Sequence, residues 1–426
     1  MILSLGVLPL ILLLLGFPVY IVLLTALTVT LAFFTNVQLT ALHQNLFGTI
    51  DTFALLAVPF FIYAGELMGR GSVAQRLVDF VQAGVGSVRG SLGVTTVGTS
   101  AIFGAISGAS AACVATIGKV MYPAMRRAGY PEPFSAGLVT AVGAIDIIIP
   151  PSVPLIIYGA AAAESVPRLY AAGVFPGLLI AALMTLYVMW RAHRGQFGKG
   201  DPFDLARFWR ALGRGIWALG APFIILGGIY GGLFSPTEAA AVACIYAAVV
   251  TRFIFRELGW ADILAAATST VLFTAQILII VACAGVFAWI LTINQVPNLM
   301  VEWIQSLNIP VWVLLLLINI VLLLVGCFLD GISAILLLSP LLVPVVKAMG
   351  IDPVHFGIIM TVNLAIGLFH PPFGINIFVA QSVLGIKLEP IYRGIIPFVF
   401  VYLVALGFIT YFPQISLFGV KLLMGR

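Results

Sequence analysis

Two tandem proline pairs interrupt apolar runs that are otherwise long enough to cross a bilayer. One pair, Pro371-Pro372, lies at the centre of NLAIGLFHPPFGINIF (residues 363–378), and the other is Pro150-Pro151. An interior proline removes a backbone donor and clashes with the preceding turn, so a tandem pair breaks a helix. In hydrocarbon, the carbonyls freed by such a break need partners, so the break is tolerated only against protein or a water-filled cavity. We therefore predict a ligand or ion site built from broken membrane helices.

Composition places the whole chain in the membrane. Of the 426 residues, 62% are hydrophobic and 8% are charged, whereas about 25% are charged in soluble domains. Apolar runs of roughly 17–25 residues, the length of a spanning helix, recur throughout the chain. The chain contains neither GxxxxGK[ST] nor HExxH, so ATP hydrolysis and zinc-dependent hydrolysis are not expected. We predict an all-α polytopic membrane protein that is not an enzyme, binds no nucleic acid and has no transition-metal site.

The two halves of the chain show the same succession of segments. In the first half we predict membrane spans at 2–34, 52–69 and 171–190, a hairpin at 90–125 and a broken helix at 134–163. The run at 2–34 is divided at Gly16-Phe17-Pro18, and we predict that it is retained in the membrane and is not a signal peptide. In the second half we predict membrane spans at 215–233, 236–252, 263–291 and 395–413, a hairpin at 311–346 and a broken helix at 354–385. Residues 70–82 and 297–307 are predicted to lie along the interface.

The first hairpin is inferred from small residues between basic flanks. Residues 90–125 are dense in Gly, Ser, Thr and Ala, with Arg89 before them and Arg126-Arg127 after them. A segment that leaves one side of the membrane and returns to it is a re-entrant hairpin. We place its tip at GAISGASAA, residues 104–112.

An internal repeat relates the halves. A shift of 221 residues superposes five pairs of identical residues, namely Pro123 on Pro344, Gly129 on Gly350, Thr140 on Thr361, Pro150 on Pro371 and Pro151 on Pro372. A shift of 223 superposes LVDFVQ (77–82) on MVEWIQ (300–305). The predicted domains are a first repeat at 1–190, a cytoplasmic basic linker at 191–214 and a second repeat at 215–426.

Basic residues predict that the two repeats are inverted. When residues 191–214 are placed in the cytoplasm, 16 of the 20 Lys and Arg residues lie on the cytoplasmic side of the membrane. The four exceptions are Arg168, Lys347, Lys421 and Arg426. The first hairpin then enters from the cytoplasm and the second from the opposite side. Inverted repeats with broken helices are the architecture of secondary transporters. A channel would not need two antiparallel copies of this unit.

Polar residues at membrane depth are costly and are therefore functional candidates. Ser107 and Ser110 lie beside Gly104 and Gly108. Their hydroxyls and the free carbonyls of a re-entrant turn suit a hard cation such as sodium, which prefers oxygen ligands. Close helix packing on small residues is the other interpretation.

Two carboxylates and one histidine flank the predicted breaks. Asp330, in GCFLDGIS, is interpreted as a cation ligand or protonatable group because no Lys or Arg lies in its apolar segment. Asp146 lies four residues before the first proline pair and is a candidate cation ligand, proton carrier or determinant of substrate choice. His370 precedes the second pair and is either a proton relay or a residue bonded into the broken backbone.

Several long motifs, in order, resemble the large membrane subunit of tripartite ATP-independent periplasmic (TRAP) transporters. They are GAISGASAA, IIIPPSVPLIIYG (147–159), GGLFSPTEAAAVA (231–243), FLDGISAILLLSPLLVPVVKAMGIDPVHFGII (328–359) and NLAIG…HPPFGINIFVA (363–380). The resemblance implies an inner-membrane elevator-type carrier for sodium-coupled uptake of organic acids such as C4-dicarboxylates, keto acids or sialic acid. It also implies two partners: a periplasmic substrate-binding protein (P type) and a small four-helix membrane subunit (Q type). No cofactor is implied beyond sodium as the coupling ion.

The resemblance places sodium and substrate at the hairpins and broken helices. Together with the residues singled out above, the predicted binding set is Gly104, Ser107, Gly108, Ser110, Thr140, Asp146, Pro150, Gly326, Asp330, Ser333, Thr361, Asn363, Gly367, His370, Pro371, Gly374 and Asn376. Asp146 replaces what is more often glycine in the family pattern, and His370 replaces a small residue, often threonine. These two departures flank the predicted site.

Two other functions are compatible with the same residues. A stand-alone divalent-anion/sodium symporter would transport without a binding protein. A membrane assembly subunit would leave the site to its partner, and substitutions in its hairpins would not alter transport.

Overall fold

The computed structural model describes residues 3–35, 39–195, 197, 200 and 202–425. Helix accounts for 84% of the structure, and the described part contains no β-strand. Within the described ranges, eight helices are long and apolar enough to cross a membrane. The prediction of an all-α polytopic membrane protein is confirmed. Lys199 and Arg426, which entered the charge assignment, lie outside the described residues.

Ten helices make up the first half of the chain. They are α1 (Leu8–Leu14, preceded by a π-helical turn, Leu3–Val7), α2 (Val19–Phe34), α3 (Leu39–Ile50), α4 (Ala57–Arg70, preceded by a 3₁₀ turn, Phe53–Leu56), α5 (Val73–Val85), α6 (Ser91–Ser107), α7 (Ser110–Arg127), α8 (Glu132–Asp146), α9 (Val153–Ala162) and α10 (Val166–Gly195). The first apolar run is divided between α1 and α2, as the Gly-Phe-Pro sequence predicts.

Ten further helices make up the second half. They are α11 (Leu205–Tyr230), α12 (Pro236–Val249, continued by a π-helical turn, Val250–Ile254), α13 (Trp260–Ile293), α14 (Val296–Ser306), α15 (Val311–Phe328), α16 (Gly331–Ala348), α17 (Pro353–Gly367), α18 (Ile375–Leu384), α19 (Leu388–Tyr411) and α20 (Pro413–Met424). Residues 191–214, predicted as a linker, contain the end of α10 and the start of α11.

Each half contains a helical hairpin followed by a broken helix. The first hairpin, α6–α7, turns at Gly108, whose φ of +59° favours glycine. The second, α15–α16, turns at Leu329 and Asp330. The breaks lie between α8 and α9 and between α17 and α18, and each contains one of the proline pairs. The predicted order of hairpin and break is therefore present twice.

Two helices lie outside the predicted spans. Helix α3 falls between the predicted spans 2–34 and 52–69, and α20 begins where the last predicted span ends, at Pro413, and continues to Met424. Proline at the first helical position is compatible with a helix start because its missing N–H needs no partner there.

The helices α8 and α19 cross with their backbones in contact. A Cβ added to Gly394 of α19 would lie 1.8 Å from the carbonyl oxygen of Pro133, and one added to Gly137 of α8 would lie 2.2 Å from the carbonyl of Gly394. Without a hydrophobic driving force in lipid, helices associate through such close packing on small residues. This contact joins the first broken helix to the second half of the chain.

We predict that Gly394→Ala destabilises the protein by about 1–3 kcal/mol, because overpacking forces the two backbones apart. The measurement is the melting temperature of the purified chain in detergent. Gly407→Ala on the same helix is the matched control, since a Cβ there meets no atom within 4 Å. An equal melting temperature for the two variants would contradict the crossing.

Candidate functional site

A cavity of about 270 Å³ lies where both hairpin turns meet both helix breaks. Its wall includes Gly108 and Asp330 from the hairpin turns and Val153 and Ile375 from the second segments of the broken helices. Helix α13 closes another side with Phe273, Gln276, Ile277 and Ile280. The cavity is the point at which elements far apart in sequence come together.

Four helix N-termini face this cavity. Residues of the first turns of α7, α9, α16 and α18 all line it. The first N–H groups of a helix have no partner inside the helix, and the helix dipole adds partial positive charge there. Convergent N-termini therefore provide an electropositive, hydrogen-bonding surface without any basic side chain. Among the described residues that line the cavity, Asp330 alone carries a formal charge.

Two of these N-termini are capped by side chains and two are not. Ser152 Oγ accepts a hydrogen bond from the N–H of Leu155 in α9 (3.4 Å), and an Asp330 carboxylate oxygen accepts one from the N–H of Ser333 in α16 (3.1 Å). The N-cap residues of α7 and α18 are Ala109 and Gly374, and neither provides a side-chain cap. Neither helix has a side-chain cap, but in α18 the N–H groups of Asn376 and Ile377 donate to the carbonyls of Leu368 and Gly374, so the start of α7 is the one of the two left for a ligand.

The side chains of Ser110 and Asn376 link the two uncapped helices. The Asn376 amide donates to Ser110 Oγ (2.8 Å), and Ser110 Oγ donates to Asn376 Oδ1 (3.1 Å). The same amide is 3.4 Å from the carbonyl oxygen of Thr140 in α8. Asn376 is fully buried and Ser110 is 6% exposed. This bridge holds the first hairpin to the second broken helix.

A buried carboxylate lies behind the first hairpin turn. Ser107 Oγ donates to Asp146 Oδ2 at 3.0 Å, while Asp146 Oδ1 has no hydrogen-bond partner among the described residues. Asp146 is fully buried, and a Cβ on Gly104 would lie 2.7 Å from its Oδ1. The C-terminal ends of α6 and α8 therefore meet at hydroxyl, carboxylate and backbone oxygens.

Glycines occupy the corresponding contact in the second half. Gly326 of α15 faces Gly367 of α17, where an added Cβ would lie 2.4 Å from the Gly326 carbonyl oxygen. Here the ends of the hairpin helix and the broken helix approach through backbone alone. At equivalent positions, the first half therefore has the carboxyl group of Asp146 and the second half has Gly367.

Several predicted residues have structural partners at this end of the molecule. Asp330 was interpreted as an unpaired carboxylate, but it caps α16 and also accepts a hydrogen bond from the Ser333 hydroxyl (2.5 Å). His370 Nδ1 lies 3.2 Å from Cys327 Sγ, so the imidazole contacts the second hairpin. Gly374 is packed against the backbone of Leu368. A Cβ added to Gly374 would lie 2.5 Å from the Leu368 carbonyl oxygen.

The remaining predicted residues are bonded within helices or to neighbouring ones. Thr140 and Thr361 donate to carbonyls one turn earlier in their own helices, those of Ala136 and Gly357. Asn363 donates to Asn319 of α15 at 2.8 Å, and Asn319 donates to Thr410 of α19 at 3.0 Å. None of these side chains lines the cavity.

Part of the predicted binding set lines the cavity, together with one residue that was not predicted. Gly108, Ser110, Asp330 and Asn376 line the cavity, and Pro150 and Pro371 lie in the two breaks beside it. Gln276 of α13 also lines it but was not predicted. The available signal was an amide in the middle of a long apolar run.

A family model described as "Tripartite ATP-independent periplasmic transporter, DctM component" matches residues 6–415. The chain belongs to this family. A C4-dicarboxylate TRAP transporter large permease protein of Pseudomonas aeruginosa is 40% identical over 91% of both chains. A sialic acid TRAP transporter large permease protein of Vibrio cholerae is 37% identical over 90% of both. The resemblance inferred from the motifs is confirmed.

Other relatives differ in substrate and length. An ectoine TRAP large permease protein of Halomonas elongata is 38% identical over 96% of both chains. An isethionate TRAP permease protein of Oleidesulfovibrio alaskensis is 39% identical over 95% of this chain, which spans only 64% of that relative's length. The solved YdaH transporter of Alcanivorax borkumensis shares the fold, with a TM-score of 0.60 at 20% identity over 91% of this chain and 89% of that one.

Family membership and the apolar helices also settle where the protein resides. The TRAP large permease family consists of membrane transporter components. The protein is a multi-pass protein of the bacterial inner membrane, as predicted.

We predict that Ser110→Ala and Asn376→Ala are coupled in stability. The double variant should lose less than the sum of the single losses, by about 0.5–1.5 kcal/mol, because either change alone removes the same bridge. Shifts in thermal unfolding of the detergent-purified chain measure the coupling. Ser110→Ala combined with Asn319→Ala is the control and should be additive, since Asn319 bonds to Thr410 and Asn363 instead. Strict additivity of the first pair would show that the bridge is absent.

Proposed function

We propose that this chain is the permease subunit of a sodium-coupled uptake system for an organic acid. A periplasmic binding protein delivers the substrate, and a small membrane subunit completes the complex. The names of the relatives support this assignment, because they are TRAP permeases for C4-dicarboxylate, sialic acid and ectoine. The particular acid differs among relatives of similar identity, so the class of substrate is proposed and not one compound.

The convergence of helix N-termini on one cavity is the observation that carries the proposal. A carboxylate placed between the starts of α7 and α18 accepts hydrogen bonds from the free N–H groups at the start of α7 and is stabilised by both dipoles. Ser110 and Asn376 add a hydroxyl and an amide at the same place. The site thereby binds an anion in a region that lacks lysine and arginine side chains among its described lining residues.

Sodium binding is proposed at the two places where helix C-termini meet. In the first half, Ser107 and Asp146 provide a hydroxyl and a carboxylate beside the backbone of Gly104. In the second half, Gly326 and Gly367 bring backbone carbonyls together. A hard cation prefers such oxygen ligands, and helix C-termini carry partial negative charge. Cations behind the hairpins and an anion in front of them stabilise one another, which provides a physical basis for coupling.

Contacts between the halves support an elevator-type movement. The first hairpin is bonded to the second broken helix through Ser110 and Asn376, and α8 packs closely on α19 through Gly137 and Gly394. These contacts support the proposal that the hairpins and broken helices of both halves move as one body. The long helix α13 forms the opposite wall of the cavity, as expected of a fixed scaffold. The repeated hairpin and break, read with the distribution of basic residues, support inverted repeats.

We predict that uptake requires sodium. In vesicles containing the complex and its binding protein, replacing sodium by potassium at a constant proton gradient should reduce organic-acid uptake at least tenfold, because the oxygen-lined sites would lose their ion. Restoring sodium should restore uptake. Undiminished uptake in potassium would refute the coupling. Uptake by this chain without a binding protein would instead favour the stand-alone symporter.

We predict that Asp330→Asn reduces uptake to background while the protein still assembles. Asparagine is as good an N-cap as aspartate, so α16 keeps its first turn, but the carboxylate that would hold a coupling cation or proton at the hairpin turn is lost. Uptake and co-purification with the small subunit are the two measurements. Asp79→Asn on the interfacial helix α5 is the control for charge removal, since Asp79 lies outside the cavity. Near-normal uptake by Asp330→Asn would disprove the role.

A further inference from the structure

The amide of Gln276 occupies the middle of the longest helix in the structure. Helix α13 extends from Trp260 to Ile293, so Gln276 lies about 24 Å from either end. An amide at that depth is costly if it faces lipid, and polar residues within spans mark substrate pathways more often than chance. The surroundings of Gln276 decide which environment it faces.

One face of α13 lines the central cavity. Phe273, Gln276, Ile277 and Ile280 follow the three- and four-residue spacing of a single helix face, and all four line the cavity. Gln276 is the polar member of this set. It is exposed, whereas its neighbour Ile277 is buried. The amide therefore opens onto the same cavity as Ser110, Asn376 and the uncapped N-termini.

Some amides of this protein bond to their own backbone and others, such as Asn319 and Asn376, bond to another side chain, but Gln276 does neither. Asn45, Asn294 and Asn363 each donate to the carbonyl four residues earlier, at 2.8 Å in every case. The threonine hydroxyls of α13 at Thr268, Thr270 and Thr292 do the same. Gln276 has no hydrogen bond to any described residue. Its donor and acceptor are both left for a molecule in the cavity.

We propose that Gln276 is a specificity-determining residue that hydrogen-bonds a hydroxyl group of the transported acid. The inference rests on the proposed function and extends it. The carboxylate lies at the start of α7, and Gln276 of α13 lines the same cavity, so a substituent on the acid is directed at the amide. A hydroxyl both donates and accepts hydrogen bonds, as the amide does. The proposed substrate class is therefore a hydroxylated carboxylic acid.

The test uses pairs of acids that differ by one hydroxyl, namely malate against succinate and lactate against propionate. Half-saturation concentrations for uptake are measured in vesicles with the complete complex. Gln276→Ala should raise the value about tenfold for the hydroxylated member and less than twofold for its partner, so that the preference disappears. Gln381→Ala is the matched control, because Gln381 lies on α18 but does not line the cavity. An unchanged preference in a transporting Gln276→Ala variant overturns the proposal.

A second measurement locates the side chain without relying on uptake. The four cysteines of the chain are all buried, so Gln276→Cys introduces an accessible thiol for maleimide labelling. The hydroxylated acid should slow the labelling, and failure to slow it overturns the placement of Gln276 at the substrate. Sodium-independent uptake by the wild-type complex contradicts the proposed function itself, and a wild-type complex that prefers neither hydroxylated acid to its partner contradicts this inference. Wild-type transport with an unaltered ratio in Gln276→Ala contradicts only the role of Gln276.

Discussion

The need to satisfy backbone polar groups in hydrocarbon governs the whole arrangement. Each proline break frees carbonyls and N–H groups that lipid cannot pair. In the first break, Ser152 donates to the Ile147 carbonyl at 2.5 Å. In the second, the N–H of Asn376 donates to the Leu368 carbonyl at 2.9 Å. Pairs of this kind require protein on every side, so both breaks and both hairpin turns are gathered at one buried place. The cavity is the space that remains between them.

Close backbone contact is the second requirement, and glycine provides it. Gly137 with Gly394 and Gly326 with Gly367 bring main chains together without side chains between them. Dispersion forces replace the hydrophobic effect in this environment, so these contacts are the main cohesive force. Asp146 departs from the rule, because a carboxylate occupies the position that is equivalent to Gly367. That departure makes the two proposed cation sites chemically different, one with a carboxyl group and one with carbonyls alone.

Most helices, both breaks and both hairpins could be predicted from the sequence because their signals are local. Apolar length, tandem prolines and small-residue density predicted the spans, both breaks and both hairpins, and the motif order identified the family. Contacts across the two halves were beyond that reasoning. The bonding of Asn363 to Asn319 and the exposure of Gln276 depend on which face of a helix meets which neighbour, and apolar runs that are hydrophobic all round do not specify a face. The capping of α16 by Asp330 also became visible only in the structure, because the charge pattern of the apolar segment does not show which backbone N–H the carboxylate meets.

The positions of the side-chain caps make the four helix N-termini around the cavity inequivalent, which the internal repeat alone would not do. If both halves were capped alike, the cavity would present equivalent N-termini on each side and would have no preferred end for an anion. Ser152 and Asp330 instead cap one broken helix and one hairpin helix, from opposite halves. The uncapped pair, α7 and α18, also comes from opposite halves and is joined by Ser110 and Asn376. The proposed carboxylate site lies at this junction between halves, so a substrate bound there would contact elements from both.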